Sequence, residues 1–186
     1  MTDAAAAPGP ADYAFACVRA YVAGGRAPEP PADPFYARPA ACFVTLKKRG
    51  ELRGCIGTLE PAEARLGDEI ARNARSSALR DPRFPPVTGD EVEALTCSVD
   101  VLSPSEPCAL ADLDPAEYGV IVSTGFRRGV LLPALEGIDT VERQVSIARQ
   151  KAGIAAGESY DLRRFRVTRY RQEDPAADPD GDGAGR

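Results

Sequence analysis

Cys42-Phe43-Val44-Thr45-Leu46-Lys47, then Lys48-Arg49-Gly50, then Glu51-Leu52-Arg53-Gly54-Cys55-Ile56-Gly57 is the stretch whose reading decides the fold. The first run reads as a strand, since its branched and aromatic residues suit a pleated surface. Lys48-Arg49-Gly50 breaks it, and Gly50 is free to take positive φ. The third run returns as a second strand, so 42–57 is a β-hairpin.

The same block recurs further along. Val120-Ile121-Val122-Ser123 is followed by a turn at Thr124-Gly125-Phe126 and by Arg127-Arg128-Gly129-Val130-Leu131-Leu132. In each copy the second strand carries Arg-Gly, and then come Leu-Glu (Leu59-Glu60, Leu135-Glu136) and a helix. The two halves span about 40–80 and 117–153. A block repeated once suggests duplication, each half being unable to bury its sheet alone. Hairpin–helix blocks are also common enough for the match to arise by chance.

Tyr13, Cys17, Val18 and Tyr21 recur at helical spacing and predict an amphipathic helix over 11–23. A Pro-rich loop from Ala27 to Pro39 follows, read as a structured wrap rather than a helix. Leu66, Ile70, Ala74 and Ala78 place a helix over 62–80, with acids early and arginines late to suit its dipole. Three prolines make Asp81-Pro82-Arg83-Phe84-Pro85-Pro86 a loop. Leu95, Cys97, Val99 and Val101 alternate with polar residues as a half-buried strand, and Ser103 to Pro107 reads as a loop. Asp139 and Glu142 form a capping-box variant for a helix that stops at Gly153. Leu162 to Tyr170 reads as one last strand, burying Leu162, Phe165 and Val167. Residues 1–10 are expected to be a frayed arm, and the acidic, Pro/Gly-rich 172–186 a disordered tail. The ordered domain is then about 11–171.

A chain of 186 residues is one domain, or one domain made of two halves. The net charge of -5 argues against a nucleic-acid binder, which needs a basic field to displace counterions. No apolar run approaches the roughly 20 residues that span a bilayer. Cysteines at 17, 42, 55, 97 and 108 are odd in number and form no CxxC pair, which points to a reducing cytosol. Histidine is absent. That removes His-based triads, His general bases and imidazole metal ligands from this chain.

Leu52-Arg53-Gly54-Cys55-Ile56-Gly57 resembles the LRGCIG hexamer of the AMMECR family, the A component of the AmmeMemoRadiSam systems. Asp81-Pro82-Arg83-Phe84-Pro85-Pro86-Val87 looks like that family's DPRFPPV loop. Ser98-Val99-Asp100-Val101-Leu102-Ser103, Arg128-Gly129-Val130-Leu131-Leu132-Pro133 and Lys151-Ala152-Gly153 match later motifs in order. The resemblance covers roughly 11–171. It implies an α+β fold with a twisted, mainly antiparallel sheet built from two related halves. It also implies Memo-like and radical-SAM proteins as partners, and no particular reaction. The helix before Lys151 often carries a cysteine in relatives, where this chain has Arg149 and its neighbours.

Cys55 is the candidate catalytic thiol, with Arg53 to stabilise a thiolate provided that no bulge separates them. The other reading is a small packing residue, since free cysteine is among the most buried types and no histidine is present to activate it. Gly54 and Gly57 would let a substrate or another backbone approach closely. Arg53 and Arg128 occupy equivalent places in the two halves and, with Arg83, suit an anionic substrate. Alternatively, Arg53 and Arg128 pair with local acids such as Glu60 and Glu136. Asp81 and Arg83 sit on a Pro-stiffened loop, either as a site or as a clamp with Phe84 anchored in the core. No cofactor or metal site is read from the sequence. The two functions in contention are a thiol-dependent enzyme acting on an anionic small molecule or protein modification, and a non-catalytic docking or regulatory module.

Overall fold

The computed structural model describes residues 8–172. Most of the predicted arm and tail lies outside these residues. Where they begin and end, structure extends slightly into both: Pro10 opens the first helix, and Gln172 bonds Cys97 through its backbone N–H and its side-chain oxygen.

The elements in order are α1 (Pro10–Val22), α2 (Pro34–Ala37), β1 (Cys42–Lys48), β2 (Glu51–Gly57), α3 (Leu66–Leu79), β3 (Leu95–Leu102), β4 (Glu106–Pro107), β5 (Gly119–Thr124), β6 (Arg127–Leu131), α4 (Val141–Ala152), β7 (Asp161–Phe165) and β8 (Val167–Arg171). Short 3-10 turns cover Gly89–Ala94 and Leu110–Asp112. The class is α+β. No helix among the described residues is long and apolar enough to cross a membrane.

The chain divides into two compact units, 1–100 with 169–186, and 101–168. Each contains one hairpin–helix block. Two four-stranded sheets take the place of the single sheet expected, in the orders β2-β1-β3-β8 and β4-β7-β5-β6. The ladders β1–β2, β5–β6, β5–β7 and β4–β7 are antiparallel. The predicted strand over 162–170 is two strands because Arg166 leaves the ladder. Its N–H donates to the Ser103 hydroxyl at 2.9 Å, and its carbonyl accepts from the Ser103 N–H at 2.9 Å. Of its expected buried members only Phe165 is buried, while Leu162 and Val167 are half-buried.

In the first unit α3 covers β1 and β2, and α1 packs on α3. Val18, Val44, Leu46, Leu66, Ile70 and Val99 are wholly buried there. Each such side chain contributes roughly 1.5–3 kcal/mol by leaving water. In the second unit α4 covers β5 and β6 around Val120, Val122, Leu131, Val145 and Ala148. A glycine on the outer strand sets both helix distances. A Cβ on Gly54 would lie 2.2 Å from the Ser77 carbonyl oxygen, and one on Gly129 1.9 Å from that of Ala148.

Local chemistry explains the other departures. The Glu69 carboxylate accepts the N–H groups of Ala62 and Glu63, both at 2.8 Å, and folds that segment back, so α3 starts at Leu66 rather than 62. Thr140, not Asp139, caps α4 by accepting from the Arg143 N–H, and Gly153 ends it at φ 66°. Asp33 caps the four-residue α2 inside the Pro-rich loop, with Pro34 at its first position. The loop after β3 contains β4, which pairs with β7.

Candidate functional site

β2 is an edge strand, and an edge strand presents unpaired backbone groups. At Cys55 they are filled by side chains. The Cys55 N–H donates to Asp81 Oδ2 at 2.9 Å, and its carbonyl accepts from Arg83 Nη2 at 3.0 Å. Those groups point away from β1, so Cys55 and its register partner Thr45 form a pair without mutual backbone bonds, the kind whose side chains approach most closely. The Thr45 hydroxyl accordingly donates to Cys55 Sγ at 3.1 Å. One residue on, the Ser77 hydroxyl accepts from the Ile56 N–H at 2.9 Å and donates to the Val44 carbonyl at 2.7 Å. It bridges the two strands from α3.

Asp81 and Arg83 clamp one another. Arg83 donates through Nε to Oδ1 at 2.9 Å and through Nη2 to Oδ2 at 2.7 Å. The Asp81 side chain is 2% exposed, while that of Arg83 is 52% exposed. The guanidinium bonds hold the Asp81 carboxyl far below the usual carboxylate range, outweighing the upward push of burial. Phe84 is not a core anchor. It is half-buried, with the guanidinium carbons of Arg53 and Arg83 at 5.9 and 5.5 Å from its ring centroid.

Arg53 does not serve Cys55. The β1–β2 register shifts between Leu46 and Lys47: Leu46 faces Gly54 and Lys47 faces Leu52, leaving Arg53 as the extra residue of a bulge. Its guanidinium turns to Glu91, donating through Nη2 to Oε1 at 2.5 Å and through Nε to Oε2 at 3.3 Å. Lys48 Nζ joins at 2.7 Å from Oε2. Glu91, not Glu60, is thus the acid that takes Arg53, and these two cations pull its carboxyl down to about 2.

The cations within electrostatic range of Cys55 are others. Arg83 and Arg169 both interact electrostatically with its sulfur. Arg169 is held by buried Asp100 through two bonds at 2.6 and 2.7 Å. Cys55 is half-buried, whereas Cys17, Cys42 and Cys97 are buried. Burial pushes Cys17 up to about 11 and Cys42 up to about 12, and drives Cys97 and Cys108 upward too. Among the described residues no three Cys, Asp or Glu side chains converge as metal ligands.

A family model described as AMMECR1 matches residues 11–174. The chain belongs to the AMMECR1 family. A Thermotoga maritima relative is 47% identical over 165 residues, covering 86% of this chain and 95% of its own. The Methanocaldococcus jannaschii protein MJ0810 is 33% identical over 181 residues, covering 88% of each. The Clostridium acetobutylicum protein CA_C1420 is 49% identical over 130 residues, and the match spans only 28% of that longer chain. The crystal structure of PH0010 from Pyrococcus horikoshii superposes with a TM-score of 0.80 at 29% identity, covering 89% of this chain and 91% of that one.

Within this AMMECR1 domain the two glycines beside Cys55 admit protein. Gly54 meets α3, and a Cβ on Gly57 would lie 2.3 Å from the Phe43 ring and 2.6 Å from the Cys42 carbonyl oxygen. Arg128 belongs to the second unit, on β6 opposite Ser123. The sequence reading missed Thr45, Ser77, Glu91 and Arg169. Thr45 alone had a usable signal, the register of a hairpin already identified, had the bulge been placed.

Proposed function

We propose that this AMMECR1-family protein is a thiol-dependent enzyme in which Cys55 attacks an anionic small molecule or a modified protein group, working with Memo-like and radical-SAM partners in the cytoplasm. The observation that carries the reading is the mounting of Cys55. Its N–H and carbonyl are fixed by Asp81 and Arg83, its sulfur receives the Thr45 hydroxyl, and it stays half-buried. Side chains held this firmly suit a group that must meet a reacting atom at defined geometry. Negative charge on that sulfur would be met by a hydroxyl donor and by two guanidinium groups. Asp81 is a poor base because its own ion pair keeps it ionised, and the chain has no histidine. The proton of the thiol therefore leaves to solvent or to a group on the substrate or partner. The partners rest on the family resemblance.

Native protein treated with iodoacetamide near neutral pH, followed by peptide mass mapping, tests this. Cys55 should be labelled well before Cys17, Cys42 and Cys97. Labelling of Cys55 only after unfolding would sink the thiol reading.

A second reading is a docking or regulatory module for the same partners. It is favoured by CA_C1420, where the matching segment is a minor part of a longer chain, and by Leu52, 42% exposed beside the site. Co-expression with both partners separates the two readings: Cys55→Ala should abolish their joint product if the thiol reacts, and leave it intact if the domain only docks.

A further inference from the structure

A hollow of about 200 Å³ is lined by Thr45, Lys47, Thr96, Cys97, Ser98, Arg171 and Gln172. Thr45 belongs to both places, since it lines the hollow and its hydroxyl donates to the Cys55 sulfur. Among the described residues the lining holds two cations and three hydroxyls, and no carboxylate. Among the described residues neither Lys47 nor Arg171 pairs with an acid, although the chain as a whole carries a net charge of -5. Among the described residues, two cations without an acid partner beside a hydroxyl-rich surface form a local positive well. Guanidinium, ammonium and hydroxyl donors together match the lone pairs of an oxyanion.

The larger groove along α1 and α3, about 580 Å³, is a weaker candidate for such a ligand. Its arginines are interleaved with Glu29, Glu63 and Asp68, and Arg65 and Arg72 are already paired with two of these acids. The smaller hollow, at about 200 Å³, suits a compact head group.

We infer that this hollow is an oxyanion subsite, which takes the carboxylate or phosphate group of a small substrate and sets its reacting end at Cys55. The inference rests on Cys55 being the reacting thiol. It adds the chemical class of the substrate and the residues that select it, Lys47 and Arg171.

Paired alkylating agents test it. Iodoacetate and iodoacetamide place the same electrophilic carbon beside an anionic and a neutral group, and in both the sulfur displaces iodide as the new S–C bond forms. The rate ratio at Cys55, iodoacetate over iodoacetamide, is divided by the same ratio for glutathione. The quotient should be about five to ten in the native protein, the scale set by two partly exposed charge contacts. Lys47→Ala and Arg171→Ala should each lower it, and the double variant should bring it near one. Inorganic phosphate or acetate should slow iodoacetate alone, and the stronger protector identifies the head group. A quotient near one in the native protein, with Cys55 still labelled by iodoacetamide, overturns the subsite and leaves the reactive thiol standing. Failure of both reagents to label native Cys55 removes the underlying reading and the subsite with it.

Discussion

The two hairpin–helix blocks share a frame and differ in what is mounted on it. In both, an edge strand carries Arg-Gly, and the glycine lets the next helix approach within contact of the strand backbone. In both, the residue after that glycine offers its carbonyl to a cation: Arg83 to Cys55, and Lys151 to Val130 at 3.1 Å. The differences fall at one point. The first block has a thiol where the second has valine, a carboxylate on its N–H, and a bulge one residue before the glycine, while the β5–β6 ladder runs without a shift. The shared parts explain folding, and the unshared parts gather at Cys55. Scaffold and candidate site are therefore separable here by comparing the molecule with itself.

The shared part gives the largest expected effect. Gly54→Ala and Gly129→Ala each force a methyl group against a helix carbonyl, at 2.2 and 1.9 Å, where no flexible side chain can yield. Each should cost about 3 kcal/mol, the upper range for overpacking, read as a lowered urea midpoint. An unchanged midpoint for either variant would break the equivalence of the two blocks.

The first block's own electrostatics come next. Glu91 anchors Arg53 and Lys48, and its folded carboxyl titrates near 2 against an ordinary 4.5. Asp81 is held lower still. Between those values the unfolded chain binds protons that the folded one refuses, so the stabilisation is complete above about pH 5 and is lost as pH falls toward 2. The urea midpoint of wild type should drop over that window, and Glu91→Gln should flatten the slope. A slope that Glu91→Gln leaves as steep as in wild type would mean that the bulge is not pinned by this pair.

Much of the frame was legible because periodicity and turn chemistry act locally. The hairpin, the Gly153 stop and the Asp81–Arg83 loop all follow from neighbours in sequence. What escaped depends on one inserted residue or on distant partners. Counted back from the Arg49–Gly50 turn without a bulge, Cys55 falls opposite Val44; the extra residue at Arg53 moves it opposite Thr45. That single step changes the neighbour of the sulfur from a methyl group to a hydroxyl. It also frees Arg53 for Glu91, a partner 38 positions away that no local pattern announces. Arg169 and Asp100 are 69 positions apart and met only when the sheet formed. The break at Arg166 was hidden because the residues on either side of it both favour strands.

The smallest effect on stability tests the comparison most directly. Cys55→Val writes the second block's residue into the first. Valine suits a strand, is larger than cysteine by only about one methyl group, and keeps the backbone N–H and carbonyl that Asp81 and Arg83 hold. What is lost is one contact from the Thr45 hydroxyl to sulfur, a weak acceptor. The variant should fold with a midpoint corresponding to a loss of less than about 1 kcal/mol, because the half-buried position does not force the added methyl into a packed core. Its alkylation by iodoacetamide under native conditions should disappear. If Cys55→Val instead unfolds the protein, the sulfur is structural, and the difference between the blocks is one of packing. If it folds and native labelling persists, another thiol is the accessible one and the chemistry must be sought around Cys108, the remaining cysteine that is not fully buried.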